Sequence, residues 1–254
     1  MLKTAVKVIP GQITRLFNGC LQWGVFPKAW KTGSLRALLK GEDKDEQDPK
    51  SYRPICLLSV IEKLFEKLIK LRLMDTSLAP GGVSDRQFGF MPGRSTEDAV
   101  VELRRMVSAS EKRHAVALLF DISGAFDSVW WPIVLESLKS GNCQRNIFGV
   151  MQSYFDDRRV SLSYGSSEVS RRATRGCPQG SVLGPTCWNI MFDNLLKLLK
   201  ESNILFAAYA DDLVVIVDGN SRREIEIEGQ RVVDIIIIGA SSQNFRSRSE
   251  KLKL

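Results

Sequence analysis

Two short apolar runs, residues 204–208 and 213–217, are separated only by Tyr209, Ala210, Asp211 and Asp212. So little chain between two strand-length runs calls for an antiparallel hairpin with adjacent carboxylates at its tip. Aspartate is common in turns, so turn chemistry by itself is one reading of the pair. A third carboxylate shifts the balance. Residues 115–120 form another apolar run of strand length, read as a buried strand, and it stops at Asp121, 90 positions before Asp211. Set side by side in one sheet, the two strand ends bring Asp121, Asp211 and Asp212 together. Crowded carboxylates repel, and a divalent cation is the usual remedy. Magnesium prefers such hard oxygen ligands and keeps positions open for water and phosphate. Two such ions, about 3.5–4 Å apart, can hold the attacking and leaving oxygens of a phosphoryl transfer.

The rest of the chain supplies a frame for that hairpin. The polar stretch 41–51 reads as an exposed loop. Residues 55–74 carry apolar side chains at helical spacing, with Glu66 and Lys70 expected as an i,i+4 pair on the solvent face. Residues 87–93 are a glycine- and proline-marked loop, and Ser95 to Asp98 has the look of a capped helix start. Helices are expected from about Pro132 to Gly141, from Cys143 to Tyr154, and onward from Pro185, where Trp188, Met191, Phe192, Leu195, Leu196 and Leu199 make a core-facing stripe. Alternation at Val160, Leu162 and Tyr164, a turn at Gly165-Ser166 and a return through Val169 predict a second hairpin. Together these suit an α+β fold with helices packed on one face of a mainly antiparallel sheet.

Composition excludes several chemistries. One histidine, His114, in a highly charged run, rules out multi-histidine metal cages and makes a Ser-His-Asp triad a poor reading. Five cysteines with no CxxC spacing argue against a zinc knuckle or a disulfide framework and for a reducing compartment. No apolar stretch reaches membrane-spanning length, since residues 232–238 are broken by Asp234. The N-terminus, with Lys3, Lys7 and Pro10, leaves no room for a signal-peptide core. The net charge of +7 is compatible with a polyanionic partner, although solvated basic faces give the same count.

Five blocks in order resemble reverse transcriptases, particularly those of non-LTR (LINE-type) retrotransposons. They are Ser51-Tyr52-Arg53-Pro54-Ile55-Cys56-Leu57-Leu58; Gln87-Phe88-Gly89-Phe90 followed by Pro92-Gly93-Arg94-Ser95-Thr96; Phe120-Asp121-Ile122-Ser123-Gly124-Ala125-Phe126-Asp127; Pro178-Gln179-Gly180-Ser181-Val182-Leu183-Gly184-Pro185; and Tyr209-Ala210-Asp211-Asp212. They lie within residues 30–217. Each alone is a weak pattern, and the ordered set is specific.

That resemblance implies the fingers and palm of a right-hand polymerase, with a helical lead-in over 1–29, fingers over 30–114 and a palm over 115–220. It implies RNA-directed DNA polymerisation on an RNA template with a DNA primer and deoxynucleoside triphosphates. Asp121, Asp211 and Asp212 would hold two Mg2+ ions, for which Mn2+ can substitute, with the Ile122 carbonyl beside them. Phe126 would close the space for a 2′-hydroxyl; ordinary core packing is its other reading. Lys40 and Arg53 would grip the triphosphate, Gln179 and Gly180 would meet the nucleotide, and Gly89, Arg94 and Thr96 would follow the template. Asp127 is expected to cap or orient locally, and Trp130 and Trp131 to anchor packing. The nucleus is the compartment the resemblance implies.

Residues 221–254 are expected to diverge. Residues 221–234 look loosely helical, residues 224–228 alternate like a strand, and residues 235–254 match none of the family's blocks unless Lys251 or Lys253 is a remnant of one. The expectation is a copy truncated before a thumb, lacking the other domains of the full retrotransposon protein, with a reading-frame change near residue 235. A remnant that only binds nucleic acid and an RNA-dependent RNA polymerase are the competing readings; Phe126 and the Pro178-Gln179-Gly180 block argue against the latter.

Overall fold

The structure, a computed structural model, describes residues 9–76, 78, 82–122 and 124–243, without the side chain of Tyr164. Lys3, Lys7, Lys251 and Lys253 lie outside them. In chain order the described residues form α1 (Pro10–Trp23), β1 (Thr32–Leu39), β2 (Tyr52–Leu57), α2 (Val60–Asp75), α3 (Thr96–Ala109), β3 (His114–Asp121), α4 (Ala125–Ser128), α5 (Trp131–Ser140), α6 (Arg145–Phe155), β4 (Arg159–Tyr164), β5 (Ser167–Arg172), α7 (Gly184–Glu201), β6 (Leu205–Tyr209), β7 (Asp212–Gly219) and α8 (Arg222–Ser242). The fold is α+β, as expected. It divides into two compact units that interleave in sequence: Met1–Ala79 with Leu135–Gly184, and Pro80–Val134 with Pro185–Leu254. The five cysteines form no disulfide.

The first unit is built on a mixed sheet in the order β2-β1-β4-β5. β1 runs antiparallel to β2 and parallel to β4, and the predicted β4–β5 hairpin completes the sheet. Helical spacing misjudged the start of α2. Ile55, Cys56 and Leu57 belong to β2, where Pro54 faces Ala37 on an edge strand that tolerates a missing N–H. The helix begins only after Ser59, whose hydroxyl accepts from the Glu62 N–H. Its buried face runs through Glu62, Phe65, Glu66, Ile69 and Leu73, so Glu66 is in the core and not on the solvent face.

That core is aromatic. Phe26 packs edge-on to Trp30 and Tyr154 at 5.8 and 5.0 Å and tilts against Phe65 at 5.8 Å. Buried charge sits beside the rings. Arg158 lies 4.4 Å from the Tyr154 ring centroid and donates to Glu62 at 3.2 Å, with the side chains of both partners almost wholly enclosed. Glu66 accepts from Ser181 Oγ at 3.0 Å and from the Val182 N–H at 2.5 Å. Two buried carboxyls therefore lie near one guanidinium, and burial raises both above the usual carboxylate range.

The second unit is built on an antiparallel sheet in the order β3-β7-β6. α3 carries the expected capping box between Ser95 and Asp98 and packs on β6 through Ala99 and Leu103, against Ala207 and Phe88. α7 buries the predicted stripe from Trp188 to Leu199 completely. Two expectations are corrected here. β3 is an edge strand and mostly exposed, with Phe120 its one buried residue; side-chain burial depends on what covers the faces of a strand, and α8 approaches β3 at the half-buried Leu118. Residues 222–242 form a single helix, not a strand followed by unmatched chain. Ser221 caps it by accepting from the Glu224 N–H, Arg222 pairs with Glu226 one turn on, and Val232, Ile236 and Gly239 are buried at helical spacing. At Gly239 a Cβ would fall 2.6 Å from Leu195 Cδ1, so α8 meets α7 closely there. Among the described residues no helix is long and apolar enough to cross a membrane.

Burial, with the neighbouring Glu66 charge adding to it and Arg158 opposing it, pushes the Glu62 carboxyl from about 4.5 to about 7. Between those values the folded chain holds a proton that the unfolded chain has lost, so stability falls as pH rises through this window and levels off above it. Thermal melts from pH 5.5 to 7.5 should show wild-type stability decreasing with pH, by at most about 1.4 kcal/mol per pH unit from this one group. Glu62→Gln should flatten the profile; an unchanged slope would mean that Glu62 is already ionised in the folded chain.

Candidate active site

The β3–β7 ladder runs in unbroken register from His114 opposite Gly219 to Asp121 opposite Asp212. The three-residue offset to the turn is short: Tyr209 pairs with Asp212 and closes the β6–β7 hairpin around Ala210 and Asp211. The sheet therefore does what the sequence required of it, placing Asp121 beside the paired aspartates. Directly opposed like charges weaken a sheet. Asp211 is half-buried; burial raises its carboxyl above the usual carboxylate range, and the charges of Asp212 and Asp121 push it further the same way.

Ala210 is the non-glycine residue at the hairpin tip with φ of +59°. Its carbonyl accepts from Trp188 Nε1 at 3.0 Å and from Gln87 Nε2 at 3.2 Å, and its N–H donates to Gln87 Oε1 at 3.1 Å. Gln87 is fully buried. Gly89 lies against the same turn, where a Cβ would stand 2.0 Å from the Ala210 nitrogen. Its N–H is taken by Gln87 Oε1 and its carbonyl by Asn189 Nδ2. Arg94 folds back on its own loop, donating to the carbonyls of Ser84 and Gln87, while Thr96 is exposed at the first position of α3. Phe126, in α4, meets the Phe90 ring edge-on at 5.8 Å, and Ile122 follows Asp121 directly. Asp127 is exposed in the same short helix, and Trp130 and Trp131 are half-buried beside it.

Lys40, Arg53, Gln179 and Gly180 belong to the other unit. Arg53 sits opposite Leu38, which puts it on the same face of the β1–β2 ribbon as Arg36. Lys40 follows β1; its N–H donates to the Ser51 carbonyl and its Nζ to the Lys50 carbonyl at 2.7 Å. All three cations are exposed. The 178–184 loop docks along β2, where the Cys56 N–H donates to the Gln179 carbonyl at 2.8 Å. Gly180 has φ of +118°, and a Cβ there would come within 2.7 Å of the Cys56 oxygen, so this position needs glycine. Glu66 fixes the far side of the loop.

Motif reading passed over Gln87, Trp188, Glu66 and Arg36. Period-two spacing with Arg53's partner signals Arg36, and the phase of 62-65-66-69-73 signals Glu66. Gln87 opens one of the named blocks and Trp188 opens the core stripe, and neither place signals a role at the turn.

No three His, Cys, Asp or Glu side chains among the described residues are already gathered tightly enough to hold a metal ion. The donor set nevertheless fits a hard divalent cation: three carboxylates at one strand end, two of them opposed in register and the third raised first by burial and then by their charge.

Residues 40–254 match the family described as reverse transcriptase (RNA-dependent DNA polymerase). The chain belongs to that family. The match runs through the segment that motif reading had set apart as divergent, in keeping with the continuous helix α8. Among curated relatives, the chain is 40% identical over 92% of its length to a putative 115 kDa protein in the type-1 retrotransposable element R1DM of Drosophila melanogaster, covering 22% of that protein. It is 39% identical over 92% to a retrovirus-related Pol polyprotein of the R1 element of Bradysia coprophila, covering 23% of it. It is 31% identical over 97% to an RNA-directed DNA polymerase from the mobile element jockey of D. melanogaster, covering 28%. The chain thus spans about a quarter or less of the R1 relatives' length. This reverse transcriptase domain carries the α+β fold of fingers and palm that its motifs implied, and the family generally works with divalent metals.

Removing one of the opposed charges should relax the sheet. Without divalent ions, Asp121→Asn should stabilise the domain by about 0.2–1 kcal/mol in urea denaturation. Added Mg2+ or Mn2+ should stabilise the wild type and not the variant. Destabilisation of the metal-free variant would show that Asp121 is held by bonds and not by register alone.

Proposed function

We propose that this domain is the RNA-directed DNA polymerase of a non-LTR retrotransposon, extending a DNA primer on an RNA template with deoxynucleoside triphosphates. The observation that carries the reading is the alignment of Asp121 with Asp212, one residue from Asp211, in a sheet that gains nothing structurally from three carboxylates. Asp121, Asp211 and Asp212 hold two Mg2+ ions, with the Ile122 carbonyl adjacent, and Mn2+ can take their place. When bound, the ions supply positive charge at the attacking 3′-oxygen and at the departing pyrophosphate. Residues 115–220, which carry β3, β6 and β7, do the work of the palm, and residues 30–114, which carry β1 and β2, do that of the fingers.

The remaining residues bind and orient. Lys40 and Arg53, with Arg36 on the same ribbon face, offset the triphosphate charge. Gln179 and Gly180 meet the nucleotide on a loop that Glu66 holds still. Phe126, backed by Phe90, fills the space a 2′-hydroxyl would need. Thr96 faces the template, and Gly89 and Arg94 keep the shape of the loop that presents it. The jockey relative's name places an RNA-directed DNA polymerase in a mobile element, which supports a nuclear site of action.

Asp211→Asn should abolish Mg2+-dependent primer extension on an RNA template, at least about 10³-fold, while circular dichroism and melting stay near wild type. Extension at the wild-type rate by this variant would sink the reading. Phe126→Ala should raise ribonucleotide incorporation relative to deoxynucleotides by about 10-fold or more, measured as the ratio of kcat/KM values, because it removes the steric bar. An unchanged ratio would return Phe126 to the core.

A further inference from the structure

Ala210 occupies the first central position of a two-residue hairpin turn, since Tyr209 pairs with Asp212. Such turns need positive φ there, which is why glycine, asparagine or aspartate normally occupy it. Alanine at φ +59° is poorly suited to the place, so the conformation must be imposed from outside the hairpin. The structure shows what imposes it. The segment before Gly89 lies alongside β6: the Ala208 N–H donates to the Arg86 carbonyl at 2.9 Å and the Phe88 N–H to the Ala208 carbonyl at 2.8 Å. This delivers the Gln87 side chain, wholly enclosed, to the turn. Its amide oxygen accepts from the Gly89 and Ala210 N–H groups, and its amide nitrogen donates to the Ala210 carbonyl, joined there by Trp188 Nε1. Both backbone polar groups of Ala210 are thus satisfied by side chains remote in sequence, Gln87 supplying acceptor and donor from one carboxamide.

We propose that Gln87 is the positioning residue of the cation-binding turn: by clamping both polar groups of Ala210 it fixes the peptide from which Asp211 and Asp212 depart, and so sets cation affinity without touching a cation. This rests on the carboxylate triad being a divalent-cation site. Groups that orient ligands from behind are worth 10- to 100-fold in metal affinity.

The 254-residue chain, its Gln87→Leu variant and its Gln87→Glu variant are titrated with Mn2+, free ion being read by electron paramagnetic resonance. Amide hydrogen exchange is followed through β6, the turn and β7. Gln87→Leu should weaken Mn2+ binding about 10- to 100-fold and speed exchange at Ala210 while the β6–β7 ladder stays protected. Gln87→Glu keeps both acceptor bonds and should restore Ala210 protection, a rescue that a role in general packing does not predict. A folded Gln87→Leu variant with Mn2+ affinity within twofold of wild type and unchanged Ala210 exchange overturns the proposal. Should that variant not fold, Trp188→Phe, which removes one donor from the same carbonyl, takes its place and should weaken Mn2+ several-fold; unaltered affinity and exchange again overturn it. Asp211→Asn separates the two readings. If it binds Mn2+ as the wild type does, the cation site is lost as a premise, and Ala210 exchange alone then decides whether Gln87 positions the turn.

Discussion

The register of β3 against β7 is the constraint on which the site depends. Eight consecutive pairs fix Asp121 opposite Asp212, and a slip of one residue would turn Asp121 to the other face. β3 is otherwise lightly held: it is an edge strand with most of its side chains exposed, so the backbone ladder, Phe120 and the approach of α8 at Leu118 carry its placement. β7, by contrast, buries Leu213, Val215, Ile216 and Val217 and is flanked on both sides. The opposed aspartates are therefore mounted on one rigid strand and one weakly held strand, and their repulsion acts on the weaker. A cation held as proposed would remove that repulsion and so couple the chemistry of the site to the stability of the sheet edge.

The other unit solves a similar problem with buried charge. Gln179 and Gly180 sit on a loop, and a loop needs anchoring if a side chain on it is to meet a substrate at a fixed place. Its anchors are the Cys56 N–H on one side and the Glu66 carboxylate on the other. Burying Glu66 is costly, and the cost is offset by a hydroxyl and a backbone N–H donating to it, with Arg158 nearby. Glu62 has Arg158 as its side-chain donor, and burial still carries its carboxyl up to about 7. An apolar residue at 66 would remove the second of these anchors.

Much of this was legible. The hairpin around Tyr209 to Asp212, the β4–β5 hairpin, the capping box of α3 and the stripe of α7 all follow from period and turn chemistry, and the structure contains each. The misreadings have particular causes. Ile55 to Leu57 fell in phase with the helix that follows, and only Pro54 hinted at an edge strand. Glu224 to Glu228 alternates by accident of composition, while the Ser221 cap and the Arg222–Glu226 pair decide for helix. β3 is as apolar as a buried strand, yet what covers a strand depends on the sheet order, which period does not encode.

Polar residues in the buried phase are a class by themselves. Glu62 and Glu66 share a face with Phe65, Ile69 and Leu73, and Gln87 stands immediately before Phe88 in a segment that buries both. Amphipathic reasoning assigns such residues to solvent because it sorts by polarity first and phase second. Sorting by phase first gives the better inference: a carboxylate or amide that falls on the apolar face must find donors or acceptors inside. Those partners are backbone groups of segments that cannot hold their own shape, here the 178–184 loop and the left-handed turn at Ala210. Buried polar side chains of this kind mark which loops the fold has to hold still, and in this chain both loops carry residues of the proposed chemistry.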